Sequence, residues 1–222
     1  MYTRLIALVG QEKFNEIQNK KILLIGVGGV GSFALESLVR NGFNNITIVD
    51  YDRIDISNLN RQLITDSTNI GNSKVLEGLK RAKLINPDIN IDGMDTRLNK
   101  DNLDDLLKLN YDYIIDACDT TEVKFALMEK SLKNNYKLIT CMGTAKKTDP
   151  TKLQITTLEK TNNDPIARIL RKKVRDAKIN KKFMCVSSLE VPKDIEVLGT
   201  ACLVPSTAGL LCVSYILNDI LK

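Results

Sequence analysis

The residues of this sequence with the most recognisable chemistry are three glycines and one acid. Gly26, Gly28 and Gly31 fit the pattern GxGxxG, directly after an apolar run and at the start of a helical pattern. Asp50 ends the next apolar run, 19 residues after Gly31. Glycines let a backbone approach phosphate oxygens, a helix N-terminus offers free N–H groups, and an acid at the second strand tip accepts ribose hydroxyls. The spacing predicts a nucleotide site without distinguishing NAD, FAD and ATP.

The chain has no histidine, which limits the chemistry available to it. The absence removes the commonest general base and every Ser–His or Cys–His nucleophile pair. The five cysteines are Cys118, Cys141, Cys185, Cys202 and Cys212, and no two form a CxxC pair. A structural zinc site is therefore not expected. The reaction must use carboxylates, Lys, Arg, backbone amides, a thiol or a bound metal.

Apolar runs alternate with helical patterns over the first 145 residues. The predicted strands are 21–26, 46–50, 89–91, 113–116 and 137–140, and helices are predicted after the glycine turn and at 74–86, 102–109 and 122–134. This alternation predicts an α/β fold with a doubly wound, mainly parallel Rossmann-type sheet. Its strand C-termini should share one edge, where ligands bind.

The pattern changes after Pro150. The expected order there is a strand at 152–158, a helix opened by Asp164 and Pro165, a loop at 180–196, a strand at 199–204 and an apolar closing helix. We expect a single domain over 1–222. Residues 1–145 would form its nucleotide-binding part and 146–222 a C-terminal substrate-binding extension.

The longest apolar stretch, residues 208–217, is shorter than a bilayer-spanning helix requires. The N-terminus lacks the basic run, apolar core and cleavage site of a signal peptide. We therefore expect a buried helix in a cytoplasmic protein that has no membrane partner.

The block DYDRIDISNLNRQ at 50–62, with Lys74 twelve residues later, distinguishes the nucleotides. Together with the glycines it resembles the adenylation domain of the ubiquitin-activating-enzyme-like superfamily, whose bacterial members activate sulfur-carrier proteins. That family's pattern is GxGGxG, D-x-D, S-N-x-x-R-Q, a Lys and D-x-x-D. Here the matching residues are Gly26, Gly28, Gly29 and Gly31; Asp50 and Asp52; Ser57, Asn58, Arg61 and Gln62; Lys74; and Asp116 and Asp119.

The resemblance implies an adenylation reaction, in which a carboxylate attacks the α-phosphate of ATP and expels pyrophosphate. Negative charge on the phosphates must be neutralised. The resemblance gives that role to Arg61 and Lys74, adds Asn58 as a neutral donor, and makes Asp119 a Mg²⁺ ligand. No step needs a histidine.

The implied ATP-binding set is Gly26, Gly28, Gly29, Gly31, Asp50, Asp52 and Gln62, with Asp50 as the ribose anchor. Asp52 and Asp116 fit a strand–loop cap as well as a catalytic role. The start Tyr2-Thr3-Arg4 resembles the family's R-x-x-R and keeps its second Arg. In the family this Arg enters the partner subunit's ATP site, so the resemblance implies a homodimer in which Arg4 is catalytic.

The segments after residue 140 resemble one branch, the tRNA threonylcarbamoyladenosine dehydratases. The matching segments are GTAKKTDPT at 143–151, KTNNDPIAR at 160–168 and CVSSLE at 185–190. That branch uses ATP to convert the threonine carboxylate of threonylcarbamoyladenosine in tRNA to an acyl-adenylate. The neighbouring carbamoyl group then closes a ring, and water is lost overall.

Residues 146–182 hold twelve Lys and Arg against four Asp and Glu, a local charge of +8, whereas the whole chain is +5. A basic stripe is predicted at Arg168, Arg171, Lys172 and Arg175, opposite an apolar side of Ile166, Ile169 and Leu170. Such a stripe suits a phosphate backbone, although a solvated helix face would look the same. With the resemblance, it predicts a tRNA surface.

Three other functions remain open on the sequence. The chain could activate a sulfur-carrier protein, with Cys185 or Cys202 as the acceptor thiol, although the two CxxC zinc pairs usual in those enzymes are missing. It could be a non-catalytic partner subunit, but its adenylation residues are intact. An NAD dehydrogenase is a weaker fit because the chain has no histidine for proton transfer.

Overall fold

Seven strands form one sheet in the computed structural model, which describes residues 1–222. They are β1 (Lys21–Ile25), β2 (Asn45–Asp50), β3 (Asn90–Asp95), β4 (Tyr113–Asp116), β5 (Lys137–Cys141), β6 (Leu153–Thr157) and β7 (Met184–Ser188). Their order across the sheet is β3-β2-β1-β4-β5-β7-β6. Every neighbouring pair is parallel except β6 and β7, which are antiparallel. The predicted doubly wound, mainly parallel Rossmann-type sheet is confirmed.

Eight α-helices cover the two faces of the sheet. They are α1 (Thr3–Val9), α2 (Gln11–Asn19), α3 (Gly31–Arg40), α4 (Lys74–Ile85), α5 (Lys100–Leu107), α6 (Thr121–Lys130), α7 (Pro165–Asp176) and α8 (Leu203–Leu221). Side chains alternate along a strand, so Ile22 and Leu24 of β1 pack with α3, α4 and α8, and Leu23 packs with α5, α6 and α7. The apolar run of β1 is thus buried on both faces, as parallel strands usually are.

The strand order reverses between β1 and β4. From β1 the chain proceeds through β2 to β3 on one side, and from β4 it proceeds to β5 on the other. Helices that leave neighbouring strands in opposite directions open a crevice at the strand carboxyl ends. The glycine turn after β1 and the turn after β4 therefore meet at the expected ligand position.

Two predictions for the C-terminal part were wrong. Residues 180–196 were expected to form a loop, but β7 runs through Met184–Ser188 and lies between β5 and β6. The strand is short and contains two serines, so partners on both sides stabilise it more than its own composition does. The strand expected at 199–204 does not form, because α8 begins at Leu203 with Pro205 in its first turn, where proline fits a helix.

The C-terminal helix is longer than predicted. At 19 residues α8 is long and apolar enough to cross a membrane by length and composition, whereas 208–217 would be too short. In the structure it packs on α3 and the sheet, with Ala208 and Cys212 fully buried. A Cβ at Gly209 would lie 2.3 Å from the Val30 carbonyl oxygen, so the glycine allows the close approach of α8 to α3. The prediction of a buried helix is confirmed.

Candidate active site

A cavity of about 710 Å³ opens at the carboxyl edge of the sheet, where β1 and β4 diverge. Its walls are the glycine turn, the ends of β2 and β4, and parts of 141–147, 164–166 and 192–200. The predicted residues that line it are Gly26, Gly28, Gly29, Asp50, Asp52, Asn58, Arg61, Gln62, Lys74 and Asp119. Ile25 and Pro205, which are 180 positions apart in sequence, both line this volume, so the cavity combines both parts of the chain.

The glycines of the turn have different tasks. Gly26 has φ +88°, and a Cβ there would lie 2.8 Å from the Ala117 carbonyl oxygen. A Cβ at Gly31 would lie 1.8 Å from the Gly26 carbonyl oxygen, so Gly31 allows close packing behind the turn and does not line the cavity. Gly28 and Gly29 line it, and their missing side chains leave backbone accessible at the N-terminus of α3.

Asp50 ties the end of β2 to the glycine turn. Its Oδ2 accepts the Val27 N–H at 2.6 Å, and its Oδ1 accepts the N–H groups of Tyr51 and Asp52 at 2.7 and 2.9 Å. The carboxylate is therefore fixed in the cavity wall by three backbone donors before any ligand contact is considered.

Lys74 is the first residue of α4 and is buried. Its Nζ lies 2.8 Å from Asp52 Oδ2, and the Asp52 side chain is half-exposed. The side chain of Ser73 accepts the Leu76 N–H and caps the helix. The ion pair and the cap together hold the ammonium at the cavity wall.

Arg61 and Asn58 belong to a turn that begins with a short 3-10 helix, Ile56–Asn58. Asn58 Oδ1 accepts the Asp55 N–H at 3.2 Å and Asp55 accepts the Ser57 N–H at 2.8 Å, which closes the start of the helix on itself. Arg61 Nη1 donates to the Ser57 carbonyl oxygen at 2.6 Å. The guanidinium is thus oriented by its own turn and uses no carboxylate.

Gln62 is buried behind the glycine turn, and its Oε1 has no hydrogen-bond partner within the protein. A buried amide oxygen without a hydrogen-bond partner destabilises the folded state, so we expect Gln62 Oε1 to accept a hydrogen bond from a ligand or a water. Gln62 lines the cavity, where such a donor can reach it.

Two buried ion pairs beside the cavity were missed by the sequence analysis. Lys124 of α6 lies 3.1 Å from Asp116, and Lys147 lies 3.3 Å from Asp164. All four side chains have at most 1% of their surface exposed. Burial alone would lower the pKa of Lys124, but the Asp116 carboxylate outweighs it and raises that pKa, so the ammonium stays charged. The available signal for Lys124 was a lysine within the apolar sequence Val123–Leu127.

A strap, residues 189–202, closes one side of the cavity. Two backbone hydrogen bonds connect it to Lys146, whose φ is +62°. The Lys146 N–H donates to the Gly199 carbonyl oxygen, and the Lys146 carbonyl oxygen accepts the Lys193 N–H, both at 2.8 Å. Glu190 accepts the Thr148 N–H at 3.0 Å. Burial alone would raise the pKa of Glu190, but the N–H groups of residues 148 and 149 outweigh it and lower that pKa, so the fastening carboxylate stays charged.

The remaining predicted residues lie outside the cavity. Arg4 is exposed on α1, and the side chains of Arg168, Lys172 and Arg175 are exposed on α7. Arg171 is half-buried and donates to the Thr161 carbonyl oxygen at 2.8 Å. The stripe therefore exists, but one of its four cations is engaged within the protein.

The predicted apolar side of α7 needs one correction. Ile169 was placed opposite the stripe, but 43% of its surface is exposed and it lies among the basic residues. The buried side is formed by Ala167, Leu170 and Val174. Successive helical residues differ by about 100°, so Ile169 falls at the margin between the two faces.

Comparison with known proteins agrees with this geometry. The ThiF family pattern matches residues 2–216. The chain belongs to the ThiF family. It is 36% identical to the tRNA threonylcarbamoyladenosine dehydratase of Bacillus subtilis, over 96% of this chain and 92% of that protein. The Escherichia coli tRNA N6-threonylcarbamoyladenosine dehydratase in complex with ATP superposes with a TM-score of 0.94 at 32% identity, over 99% of this chain and 93% of that one.

A more distant structure shows how far the shared fold extends. MccB of Escherichia coli in complex with ATP superposes with a TM-score of 0.69 at 17% identity, over 100% of this chain and 64% of that one. This likeness concerns the fold alone. In the ThiF-family chain described here, the adenylation motif and the glycine turn line the same cavity.

Two cysteines of this ThiF-family chain, Cys185 and Cys118, are poorly suited to nucleophilic attack. Cys185 is fully buried, and burial raises its pKa to about 12. Burial, followed by the nearby Asp116 carboxylate, also raises the pKa of Cys118. The thiolate is the reactive form, so both side chains are inert at neutral pH. The cavity offers cations, backbone amides and two exposed carboxylates, Asp52 and Asp119, which suits phosphate chemistry more than thiol chemistry.

Proposed function

We propose that this chain is an ATP-dependent tRNA threonylcarbamoyladenosine dehydratase. The observation that carries the proposal is the likeness to dehydratases of that name along the whole chain, including the part after residue 146. The Escherichia coli relative has been seen with ATP and with AMP, the substrate and product nucleotides of an adenylation. The cavity here combines the adenylation motif with a wall from the C-terminal part.

The proposed reaction has two steps. The threonine carboxylate of threonylcarbamoyladenosine attacks the α-phosphorus of ATP, and the bond to the bridging oxygen breaks as pyrophosphate leaves. The carbamoyl group of the same nucleoside then attacks the activated carbonyl, a ring closes, and AMP leaves with the former carboxylate oxygen. Because the second nucleophile is already attached, its effective concentration is high and no catalytic cysteine is required.

The cations and donors of the cavity fit this charge flow. Arg61 and Lys74 neutralise the phosphates as the pyrophosphate leaves, and Asn58 adds a neutral donor. Asp50 anchors the ribose, and the accessible backbone of Gly28 and Gly29 receives phosphate oxygens. The position of each group in the cavity wall supports these roles.

Asp119 fits a Mg²⁺ ligand. Its carboxylate is exposed in the cavity and accepts a hydrogen bond from the Thr120 hydroxyl at 3.3 Å. No cluster of three or more acidic, Cys or His side chains is present. Mg²⁺ in ATP sites is commonly held by one or two carboxylates together with phosphates and water, which matches this arrangement. When bound, the metal would supply charge neutralisation on the phosphates.

The two parts of the chain have different proposed tasks. Residues 1–145 bind ATP, and 146–222 bind the tRNA through the stripe on α7. The start of α7 lines the cavity while its exposed cations face outward, so RNA held on the helix could present a nucleotide to the ATP. We place the enzyme in the cytoplasm, where its tRNA substrate is found.

The enzyme is proposed to act as a homodimer. Arg4 lies on the exposed surface of α1 and does not line the cavity of its own chain. An Arg that reaches the partner's phosphates would add a cation there. Activation of a sulfur-carrier protein through Cys185 is not favoured, because that thiol is fully buried.

The function is tested by incubating the protein with ATP, Mg²⁺ and tRNA that carries threonylcarbamoyladenosine. Nucleoside mass spectrometry should show loss of one water from the modified nucleoside, with AMP formed in equal amount. The control is the same tRNA without the threonylcarbamoyl group, which should yield no AMP. An unchanged nucleoside, together with AMP formation that depends on an added carrier protein, would refute the proposal.

A further inference from the structure

One buried ammonium joins three elements beneath the cavity. Lys124 Nζ of α6 lies 3.1 Å from both oxygens of Asp116, at the end of β4. It donates to the Cys141 carbonyl oxygen at 2.8 Å and lies 3.3 Å from Thr140 Oγ1, both at the end of β5. The Thr140 hydroxyl in turn donates to Asp116. The carboxyl ends of β4 and β5 are thus linked through a side chain of the helix that connects them.

This cluster touches the cavity only through other residues. Neither Lys124 nor Asp116 lines the cavity, whereas Cys118 and Asp119 do. Asp116 Oδ1 accepts the Cys118 N–H at 3.3 Å and lies 3.1 Å from Cys118 Sγ. The Asp116 carboxylate, which Lys124 contacts, therefore stabilises the turn that contains Asp119.

At the end of β5 the cluster contacts a second part of the cavity wall, residues 141–143. The Cys141 carbonyl that Lys124 binds directly precedes Met142 and Gly143, and all three residues line the cavity. Because Lys124 contacts the ends of both strands, a shift of β4 relative to β5 would break its contacts with Asp116 or Cys141.

A buried ion pair is a poor way to gain stability alone. Removing two charges from water costs about as much as their attraction returns, and apolar residues of equal volume often stabilise a core as well or better. The pair instead specifies geometry. The Lys124 ammonium has acceptors on both β4 and β5, so its hydrogen bonds fix the positions of β4, β5 and α6 relative to one another.

We propose that Lys124 is a positioning residue, which clamps β4 to β5 through Asp116 and so fixes the Asp119 turn for Mg²⁺ and ATP. The inference rests on the proposed function for the role of Asp119. Lys124 contacts neither substrate nor metal and acts through Asp116 and the turn.

The test replaces both charges, Lys124→Met with Asp116→Asn, because a single change would leave an unpaired charge in the core. Circular dichroism and thermal unfolding should show a folded protein. The rate of AMP formation should fall ~10-fold or more, and half-saturation with Mg²⁺ should need a higher concentration, as for other supporting groups around a metal. In calorimetry, Mg²⁺ should strengthen ATP binding less than it does in the wild type.

The matched control is Lys137→Met with Asp219→Asn. This pair also involves β5, but it lies at the amino end of the strand, remote from the cavity, with Nζ and Oδ2 2.6 Å apart. It should leave the Mg²⁺ dependence unchanged. A Lys124→Arg variant keeps the charge with a different shape, and it should stay folded but raise the Mg²⁺ requirement.

Wild-type rates and Mg²⁺ dependence in the folded double variant would overturn the inference. If that variant does not fold, the same result for Lys124→Arg would overturn it. The proposed function fails differently, since the wild type itself would then produce no dehydrated nucleoside.

Discussion

Individual cations of the cavity are oriented by different kinds of partner. Lys74 is buried and faces the Asp52 carboxylate, whereas Arg61 is held by the carbonyl oxygen of Ser57. A carboxylate partner must share its cation with an incoming phosphate, but a carbonyl leaves the guanidinium with its full charge and several free donors. Arg61 should therefore contribute most to the transition state, where charge on the phosphates is greatest.

At the residue scale we predict that Arg61→Ala slows AMP formation ~100-fold or more, the usual effect of losing one donor to a developing charge. ATP binding should weaken far less, since the glycine turn and Lys74 remain. Arg53→Ala is the control, because Arg53 pairs with Asp95 outside the cavity wall. Near-normal AMP formation by a folded Arg61→Ala protein would show that another group does this work.

The sequence predicted these residues because their motif is local in the chain. Asn58, Arg61 and Lys74 fall within 17 positions, and the glycine turn is defined by spacing alone. Lys147 and Asp164 are 17 residues apart without a motif that marks them as partners, and a lysine is rarely buried. Pairing across separate elements depends on the tertiary structure, so the sequence could not reveal it.

Among the elements, α7 connects the cavity with the outer surface. Its N-cap Asp164 accepts the Ala167 N–H at 2.9 Å and the Gly143 N–H at 2.9 Å, which joins the helix start to the cavity wall. The exposed cations follow from that point along the helix. An RNA bound along α7 would therefore extend toward the cavity in which ATP is proposed to bind. The basic surface would lower the electrostatic cost of bringing the RNA close to ATP, since both are anions.

At this scale we predict that reversing Arg168, Lys172 and Arg175 to Glu weakens tRNA binding and flattens its salt dependence. Each lost phosphate contact should reduce the slope by about 1. Arg171 is left in place because it donates to Thr161 within the protein. Filter binding at several salt concentrations measures the effect, and ATP calorimetry should remain unchanged.

The control for this helix is a second triple reversal at exposed lysines elsewhere, Lys83, Lys100 and Lys133. It changes the net charge equally, so it separates a local surface from a general charge effect. Equal losses of tRNA affinity in the two triple variants would argue against α7 as the docking surface.

The sequence predicted the central strands of the sheet but not β7, and the difference has a physical reason. β1, β2, β4 and β5 are apolar runs buried on both faces, and their composition alone marks them. β7 contains two serines in five residues and is fixed by β5 and β6, which lie far from it in sequence. Its pairing could be found only in the folded chain.

For the whole molecule, the question is whether one chain forms a complete site. The cavity of a single chain contains Arg61, Lys74 and Asp119 but not Arg4, which is exposed on α1. If the partner subunit supplies Arg4, each site of a homodimer takes residues from both subunits.

We predict that mixing Arg4→Ala protein with Asp119→Ala protein restores part of the activity. A mixed dimer has one site in which Arg4 and Asp119 are both present, whereas each parent dimer has none. AMP formation after subunit exchange measures the recovery, and each variant incubated alone provides the baseline. Failure to recover, with exchange verified by native mass spectrometry, would show that Arg4 does not act in the partner subunit's site.

The position of β7 between β5 and β6 also determines when these strands can pair during synthesis on the ribosome. The strand β5 is synthesised about forty residues before β7. The strand β6 is synthesised between them, before β7, its neighbour in the finished sheet, is available. An unpaired strand edge is a template for association with other nascent chains. Synthesis from Cys141 to Ser188 is thus an interval in which the chain is exposed to misassembly, and translation that stops before Met184 leaves the β5 edge without its partner strand.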